Sequence, residues 1–527
     1  MAIQKKRWFE DRFLWSSVFV SIIVLLPVLI EPLGFDDVVP QLAARDLLWH
    51  GRIPYIGFFD QNFPGYFYIH AGELLLFGSS EIGVRIFDIL IQLLFVVFLY
   101  RFILRWTEPS TAALIAILYT LYYVSAGSEV YGQRDVYIAI LVLLSCSFFV
   151  PDRLFDWKST LVSGLIMGVT VVIRPTSLLF AAIIALFLLL DDSYHITRQR
   201  LGSAISFFTY SLLPIAFVIA WYIQIPRGIE SFYLATIRFN LDVYARTPTN
   251  HSFWWEMARM TFLILFAFVG TFGHNQRFLR RVFTSKERIL YFSLVLSALF
   301  IALIQAKYFR YHFAPFFILL VPLAAVGIKN IASRIPHLGK VPHSYLILVA
   351  CFLCTFIRFK PISSLAFGLG LLEHQNPFKF TYQIDHPDSL YGANAEQNLL
   401  AFMRLPENSK GAIEVCSCDP VLRFHLKRLC VSRYPTLVYL AIKTPENGYT
   451  SYQLRWQRNY VDTLRITKPR FIIIGRKMKF WAISNFDNFL HSLPGFDNLL
   501  FTYYQVDTVI GGYEVYRLKN GQSFPVR

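Results

Sequence analysis

Charge is what this sequence has least of. Only 16% of its 527 residues are charged, while 55% are hydrophobic. Soluble domains carry about 25% charged residues, so the shortfall excludes an ordinary soluble fold and points to repeated membrane spans. Six cysteines in 527 residues exclude a disulfide-built scaffold. No internal repeat and no low-complexity tract is present, which excludes a solenoid and a disordered tail. Acidic residues are outnumbered, 34 against 50 basic ones. The basic residues fall mostly in short clusters between apolar runs, so the net charge of +16 reads as membrane topology rather than as a nucleic-acid surface. No small-residue cleavage site follows the first apolar run, which is therefore expected to stay as an anchor.

The apolar runs lie at about 13–30, 83–100, 110–126, 135–150, 159–173, 176–190, 202–222, 257–273, 289–305, 314–328 and 343–357. A span needs roughly 20 apolar residues, and these runs predict about eleven transmembrane helices. The pair at 159–190 has a second reading, two half-helices meeting at Arg174-Pro175. Basic residues recur in alternate connections, beginning with Lys5, Lys6, Arg7 and Arg12 and continuing through Arg101, Arg105, Arg153, Lys158, Arg198 and Arg200. One orientation satisfies the positive-inside rule throughout, with the N-terminus cytoplasmic. Beyond residue 358 the apolar runs shorten, as in FIIIGRK and GAIEVCSC, and turn residues separate them. The expected architecture is thus a polytopic α-helical membrane domain over 1–357, with a first outer loop at 34–82, followed by an extracytoplasmic α/β domain over 358–527.

That first loop is too long for a simple connection. It opens on adjacent carboxylates, Asp36 and Asp37, just past the first span. Two short amphipathic helices are expected inside it. The first runs from Pro40 to about His50 with Gly51 as its stop, and the second from Pro64 to Phe77 with Gly78 beyond. An external carboxylate within hydrogen-bond reach of a hydroxyl can act as general base. Two adjacent ones can also hold a divalent cation. The structural alternative is helix capping, a position that Asp favours.

The line FDDVVPQLAARDLL…GRIPYIGFFDQNFPGYFYIHAGELLLFG…EIGVR resembles the first outer loop of the C-type glycosyltransferases, which include the protein O-mannosyltransferases and the lipid A aminoarabinose transferases. The matched pieces are the acidic pair Asp36-Asp37, the step Ala44-Arg45, the turn from Gly51 to Tyr55, and Phe77-Gly78 with Arg85 downstream. The segments Arg174-Pro175-Thr176 and Arg310-Tyr311-His312-Phe313-Ala314-Pro315 also resemble family positions. One departure stands out: where many relatives have Lys-Pro-Pro, this chain has Asn62-Phe63-Pro64, without the cation.

The resemblance implies a polyprenyl-phosphate-linked sugar as donor and a glycan, lipid or protein as acceptor. It also implies transfer with inversion, an acidic-pair carboxylate (Asp36 first) as base, and a bacterial inner-membrane location. Membrane lipid is the remaining partner. The leaving phosphate gains negative charge and needs cations near it. Arg310 and Lys307, three residues apart beside a span, are the first candidates for donor-phosphate binding, followed by Arg174 and Arg134, with Arg238 and Arg246 also in outer connections. Each has a plainer reading as a headgroup contact or helix cap. Arg45, Asn62, Tyr66, His70 and Arg85 are candidate substrate contacts, although interfacial aromatics more commonly form a belt. His70 and Glu73 are placed to pair on one helix face, and Glu129 and Asp135 to contact substrate or to pair with Arg134.

Cys146, Cys351 and Cys354 lie in apolar runs and read as inert buried thiols. Cys416, Cys418, His425 and Cys430 match no zinc spacing, and a disulfide from Cys430 to Cys416 or Cys418 fits an oxidising compartment better. A lipid transporter or flippase is the rival to an enzyme, but transporters are commonly built from paired repeats with charges at mid-membrane. This chain has neither paired repeats nor that charge placement.

Overall fold

A computed structural model describes residues 11–31, 33–105, 107–148, 156–190, 196–249, 251–272, 285–332, 392–444, 448–475, 483 and 485–519. The chain separates into two compact units, each assembled from three stretches of sequence. The first comprises Met1–Glu31, Ser80–Ala220 and His251–Ser364, and the second Pro32–Ser79, Trp221–Asn250 and Leu365–Arg527. The run at 343–357 and the expected boundary at 357/358 lie outside the described residues, as do Cys351 and Cys354.

The first unit is helical. Its elements are α1 (Arg12–Leu25), α4 (Glu81–Ile103), α5 (Pro109–Ala126), α6 (Arg134–Cys146), α7 (Trp157–Ile173), α8 (Leu178–Leu189), most of α9 (Arg198–Ile223), α11 (Phe253–Arg259), α12 (Thr261–Phe272), α13 (Ser285–Ile304) and α14 (Ala314–Ala332). Among the described residues six helical stretches are long and apolar enough to cross a membrane: Arg12–Leu29, Glu81–Ile103, Pro109–Ala126, Arg198–Ile223, Glu287–Ile304 and Arg310–Ile331. The pair α11 and α12, bent by 73°, makes a seventh if counted as one span. Trp157–Ile173 and Pro175–Leu189 are apolar but shorter. Between them Arg174 is extended, at φ −156° and ψ 117°, because the proline that follows disfavours the helical region.

Without a hydrophobic drive between helices in lipid, close packing and polar contacts must hold such a unit together. The tightest crossing is α12 against α14. A Cβ added at Gly270 would come 2.0 Å from the Leu323 carbonyl oxygen, and one at Gly327 would come 1.9 Å from that of Phe266. Only glycine fits at either position. Ser21 on α1 meets Thr120 on α5 at 2.8 Å. On α4, Asp88 accepts from the Tyr123 hydroxyl at 2.7 and 2.8 Å and from Gln92 at 2.9 Å.

The second unit joins α2 (Phe35–His50), α3 (Pro64–Phe77) and α10 (Gly228–Tyr233) to an α/β body. That body holds α15 (Gly392–Arg404), β1 (Ile413–Cys416), α16 (Val421–Leu426), α17 (Val438–Ala441), α18 (Ser451–Thr467), β2 (Phe471–Gly475), α19 (Phe486–Ser492), α20 (Phe496–Tyr503), β3 (Tyr504–Ile510) and β4 (Tyr513–Leu518). The four strands form one sheet in the order β1-β2-β4-β3. β1 and β2 are parallel, with Ile413 opposite Phe471, while β4 runs antiparallel to both of its neighbours. Every residue of β1 and β2 is buried, as expected for strands covered on both faces. The core gathers Leu399 and Met403 of α15 with Ile413, Val415, Phe471, Ile473 and Val515.

Two expectations need correction. The first loop helix begins at Phe35, not Pro40. The Asp37 carboxylate accepts the Gly34 amide at 3.1 Å and so closes the start of the helix ahead of the proline. The acidic pair therefore lies in the first turn of α2 rather than in a preceding loop. The C-terminal stop is at Gly51, in the left-handed region at φ 60°. The second correction concerns the cysteines: Cys416, Cys418 and Cys430 are free. Cys430 pairs with Ile413 in a parallel bridge. Cys416 lies three residues further along β1, so the strand rise of about 3.3 Å per residue puts it well beyond disulfide reach of Cys430. Peptide mass spectrometry of unreduced, denatured protein is expected to find all three thiols alkylated.

Candidate functional site

Helix α2 separates the two aspartates by role. Asp37 is buried at 5% exposure and its carboxylate caps the helix. Asp36 is exposed in the same turn. Of the two carboxylates, Asp36 is the one open to solvent. Among the described residues no three His, Cys, Asp or Glu side chains converge to hold a metal ion. Among the described residues a divalent cation at the pair would thus have at most two carboxylates, one of them already engaged by the cap.

Beneath the pair, four residues along α2 from Asp37, Gln41 donates to Glu73 at 2.7 Å, and His70 meets Glu73 at 2.7 Å. All three side chains are at most 2% exposed. Tyr66 packs edge-on against His70 at 4.7 Å and is itself buried. This cluster fixes α3 on α2. Tyr66 and His70, expected as substrate contacts, are built into the interior of the second unit.

Arg45 is also interior. It donates to the carbonyls of Phe424 and Arg423, each at 3.3 Å, at the end of α16. The last carbonyls of a helix have no intrahelical partner, and a guanidinium supplies two donors in a fixed fork. The next residue, Asp46, accepts from Arg52 at 3.1 Å and lies 3.9 Å from Arg423. Arg423 donates to the carbonyls of Tyr434 and Ser432, and Glu414 accepts from the Ser432 amide and hydroxyl at 3.0 and 2.6 Å. Burial pushes the Glu414 carboxyl upward, opposed by the Arg423 charge. Arg45 thus anchors the acidic helix on the α/β body, a partnership that no sequence spacing announces. Asn62 is half-buried in the turn before α3, where its amide donates to Asp60 at 3.0 Å and its carbonyl accepts from Tyr55 at 2.7 Å.

The first unit holds the expected cations. Arg174 is 7% exposed and pairs with Asp135, which Arg134 approaches at 3.6 Å. Arg310 lies 3.4 Å from Glu129 and 3.5 Å from Glu256, and donates to the Ala126 carbonyl at 2.7 Å. Glu256 was not singled out by sequence reasoning, because it stands alone among aromatics in FWWEMAR. Lys307 is 1% exposed. Its neighbours Ala306 and Tyr308 both have positive φ, 49° and 52°, without being glycine. Such backbone persists only where the surroundings impose it, and it clusters at functional sites. Burial lowers the Lys307 ammonium to about 8. Arg85 is fully buried, donates to the Glu31 carbonyl at 3.1 Å and lies over the Tyr131 ring at 5.7 Å. Arg134, Arg174, Lys307 and His251 all act electrostatically on His312, which brings them to one locality of this unit. Arg238 and Arg246 belong to the second unit, where Arg238 pairs with Asp242 at 3.1 Å.

Comparison with known proteins adds to this geometry. A family model described as dolichyl-phosphate-mannose-protein mannosyltransferase matches residues 61–222. The chain is 26% identical over 332 residues to the undecaprenyl phosphate-alpha-4-amino-4-deoxy-L-arabinose arabinosyl transferase of Erwinia tasmaniensis, a match covering 59% of this chain and 59% of that relative. The crystal structure of ArnT from Cupriavidus metallidurans bound to undecaprenyl phosphate is similar with a TM-score of 0.56 at 13% identity, over 97% of this chain and 99% of that one. The oligosaccharyltransferase of Archaeoglobus fulgidus, crystallised with a tethered acceptor peptide containing the NVT sequon, is similar with a TM-score of 0.52 at 10% identity, over 95% of this chain and 73% of that one. The likeness in fold runs nearly the whole chain, whereas the likeness in sequence to the arabinosyl transferase covers less than two thirds of that relative.

Proposed function

We propose that this chain is a member of the C-type glycosyltransferase superfamily and moves a sugar from a polyprenyl-phosphate carrier to an acceptor hydroxyl on the outer side of a bacterial inner membrane. The acceptor is a glycan, a lipid or a protein. In this reading the acceptor oxygen attacks the anomeric carbon from the face opposite the phosphate. The bond from that carbon to the phosphate oxygen breaks, its electron pair leaves with the carrier phosphate, and the sugar is inverted. Asp36 takes the hydroxyl proton. Asp37 caps α2 and so fixes the turn that presents Asp36.

The observation that carries this reading is a set of cations in an otherwise apolar helical unit: Arg174 and Lys307, both buried, and the half-buried Arg134, all acting electrostatically on His312, with Arg310 on the same polypeptide turn as that histidine. Ionisable groups in such surroundings are expensive and mark substrate paths. They are proposed to hold the donor phosphate and to stabilise it as it leaves. In this reading the donor phosphate relies on these cations, because Asn62-Phe63-Pro64 supplies none. Arg45, Tyr66 and His70 hold α2 and α3 within the second unit, Arg85 is built into the interior of the first, and Asn62 remains the loop residue proposed to meet substrate. The exposed Trp49, Leu75 and Leu76 at the ends of α2 and α3 suit helices lying at a membrane interface. The first experiment is a transfer assay with polyprenyl-phosphate donors of varied sugar and membrane acceptors; absence of any donor-dependent transfer by folded protein would sink the reading.

Lys307 gives the reading a pH signature. Burial depresses its pKa to about 8 from the ordinary lysine value of 10.5, so below about 8 it is protonated and available to an anion. Affinity for undecaprenyl phosphate is expected to fall about tenfold between pH 7 and 9. The unliganded protein should move the other way: the buried charge is the unfavourable form, so its stability rises as pH climbs from 8 towards 10.5. Calorimetric titration across that range checks both signs, and Lys307→Arg should flatten the affinity profile because arginine stays charged.

A further inference from the structure

One wholly buried side chain of the helical unit has no hydrogen bond. His312, in the turn Arg310–Phe313 that leads into α14, is 1% exposed, and neither Nδ1 nor Nε2 has a partner. Its ring is held edge-on by Phe309 at 5.6 Å and Tyr311 at 4.6 Å, so its orientation is set by packing. Buried imidazoles always carry at least one N–H, and buried donors are normally satisfied. The groups acting on it electrostatically are Arg174, Arg134, His251 and Lys307. Arginine and lysine carry donors and no acceptor, so none of those three can receive the imidazole proton. The Asp135 carboxylate is engaged by Arg174 and Arg134, and the His251 ring packs on Phe309 without a hydrogen bond to His312. The missing acceptor therefore comes from outside the chain, and surrounding cations select an anion with several oxygens.

We infer that His312 is a ligand of the lipid-carrier phosphate, donating an N–H to one of its oxygens beside Lys307 and Arg174. The inference rests on the donor reading above and adds a neutral, directional contact to what would otherwise be an all-cationic cradle. Guanidinium and ammonium groups attract any anion, whereas an imidazole locked between two rings fixes where one oxygen must lie. His312 would thus set the rotation of the phosphate about the carrier bond, and with it the line along which the sugar is presented.

The test uses the full chain in nanodiscs and measures affinity for undecaprenyl phosphate and, separately, for undecaprenol. The ratio of the two isolates the phosphate. His312→Phe keeps the ring packing and removes the donor. It is expected to lower the phosphate preference by about 10- to 100-fold while leaving undecaprenol affinity and the melting temperature unchanged. His312→Gln, which retains an N–H, should recover most of the preference. If His312→Phe does not fold, His312→Met is read by the same ratio. A variant with wild-type preference, alongside a Lys307→Gln protein that has lost it, overturns the role of His312 and leaves the donor reading standing. Equal affinity of the wild-type protein for phosphate and alcohol overturns both. A parallel loss for both lipids marks His312 as structural and also rejects the inference.

Discussion

Asp36→Asn is expected to lower sugar transfer by about two to four orders of magnitude without unfolding the protein. The substitution preserves size and shape and removes only the basicity. Asp36 is exposed in the first turn of α2, so the change buries no new polar group. Donor affinity should hold, because the cations proposed to hold the phosphate belong to other elements. Single-turnover transfer, donor binding and melting temperature together check the claim. Asp37 provides the contrast. Its carboxylate holds the Gly34 amide, so Asp37→Ala should cost about 1 kcal/mol of stability through the lost cap. It would lower transfer only as far as the turn loosens. If Asp36→Asn keeps full activity while Asp37→Asn abolishes it, the roles assigned to the two carboxylates are reversed.

Arg423→Met should destabilise the second unit by about 3–5 kcal/mol, the loss typical when one partner of a buried ionic set is removed. Arg423 is 2% exposed and donates to two carbonyls, with Asp46 at 3.9 Å. Without it, Glu414 keeps its hydrogen bonds to Ser432 but loses its nearest cationic support. The pH dependence follows from Glu414. Burial already holds its folded-state pKa above the ordinary glutamate value of 4.5, so its ionised form is the disfavoured one and stability declines as pH rises from 4.5. Deleting the arginine raises that pKa further. The deficit of Arg423→Met should therefore be larger at pH 7 than at pH 5. Thermal unfolding at the two values checks this, and a deficit independent of pH would show that lost packing, not the stranded carboxylate, is responsible. Transfer should fall in this variant only in step with the unfolded fraction, unlike in Asp36→Asn.

The helices of the first unit were legible because their apolar runs are long and their flanks basic, and the observed ends lie within a few residues of the runs. The start of α2 was misplaced because Pro40 reads as a first-turn signal, whereas a side-chain cap at Asp37 had already begun the helix five residues earlier. The two parallel strands were visible as short apolar segments, yet their order in the sheet depends on β4, which follows both in sequence. At the site, the acidic pair and the cations stood out as ionisable residues next to apolar runs. The anchoring role of Arg45 did not, because its acceptors are main-chain carbonyls on a helix 378 and 379 residues away. Main-chain acceptors leave no trace in side-chain identity. His312 was embedded in a family-like segment, but its interest lies in unmet hydrogen bonds, which only packing reveals.

The long reach of Arg45 bears on how the protein comes into being. Helix α2 leaves the ribosome early, and the carbonyls that anchor it are made 379 residues later. Throughout most of synthesis and membrane insertion the segment bearing the aspartates has no dock. Contacts so distant along the chain form late and slowly. A chain stalled or truncated before residue 424 would carry every span-length stretch found in the first unit and still lack the support for its acidic helix. The proposed activity would switch on only in about the last fifth of translation, which makes the C-terminal body a completeness check on the nascent chain.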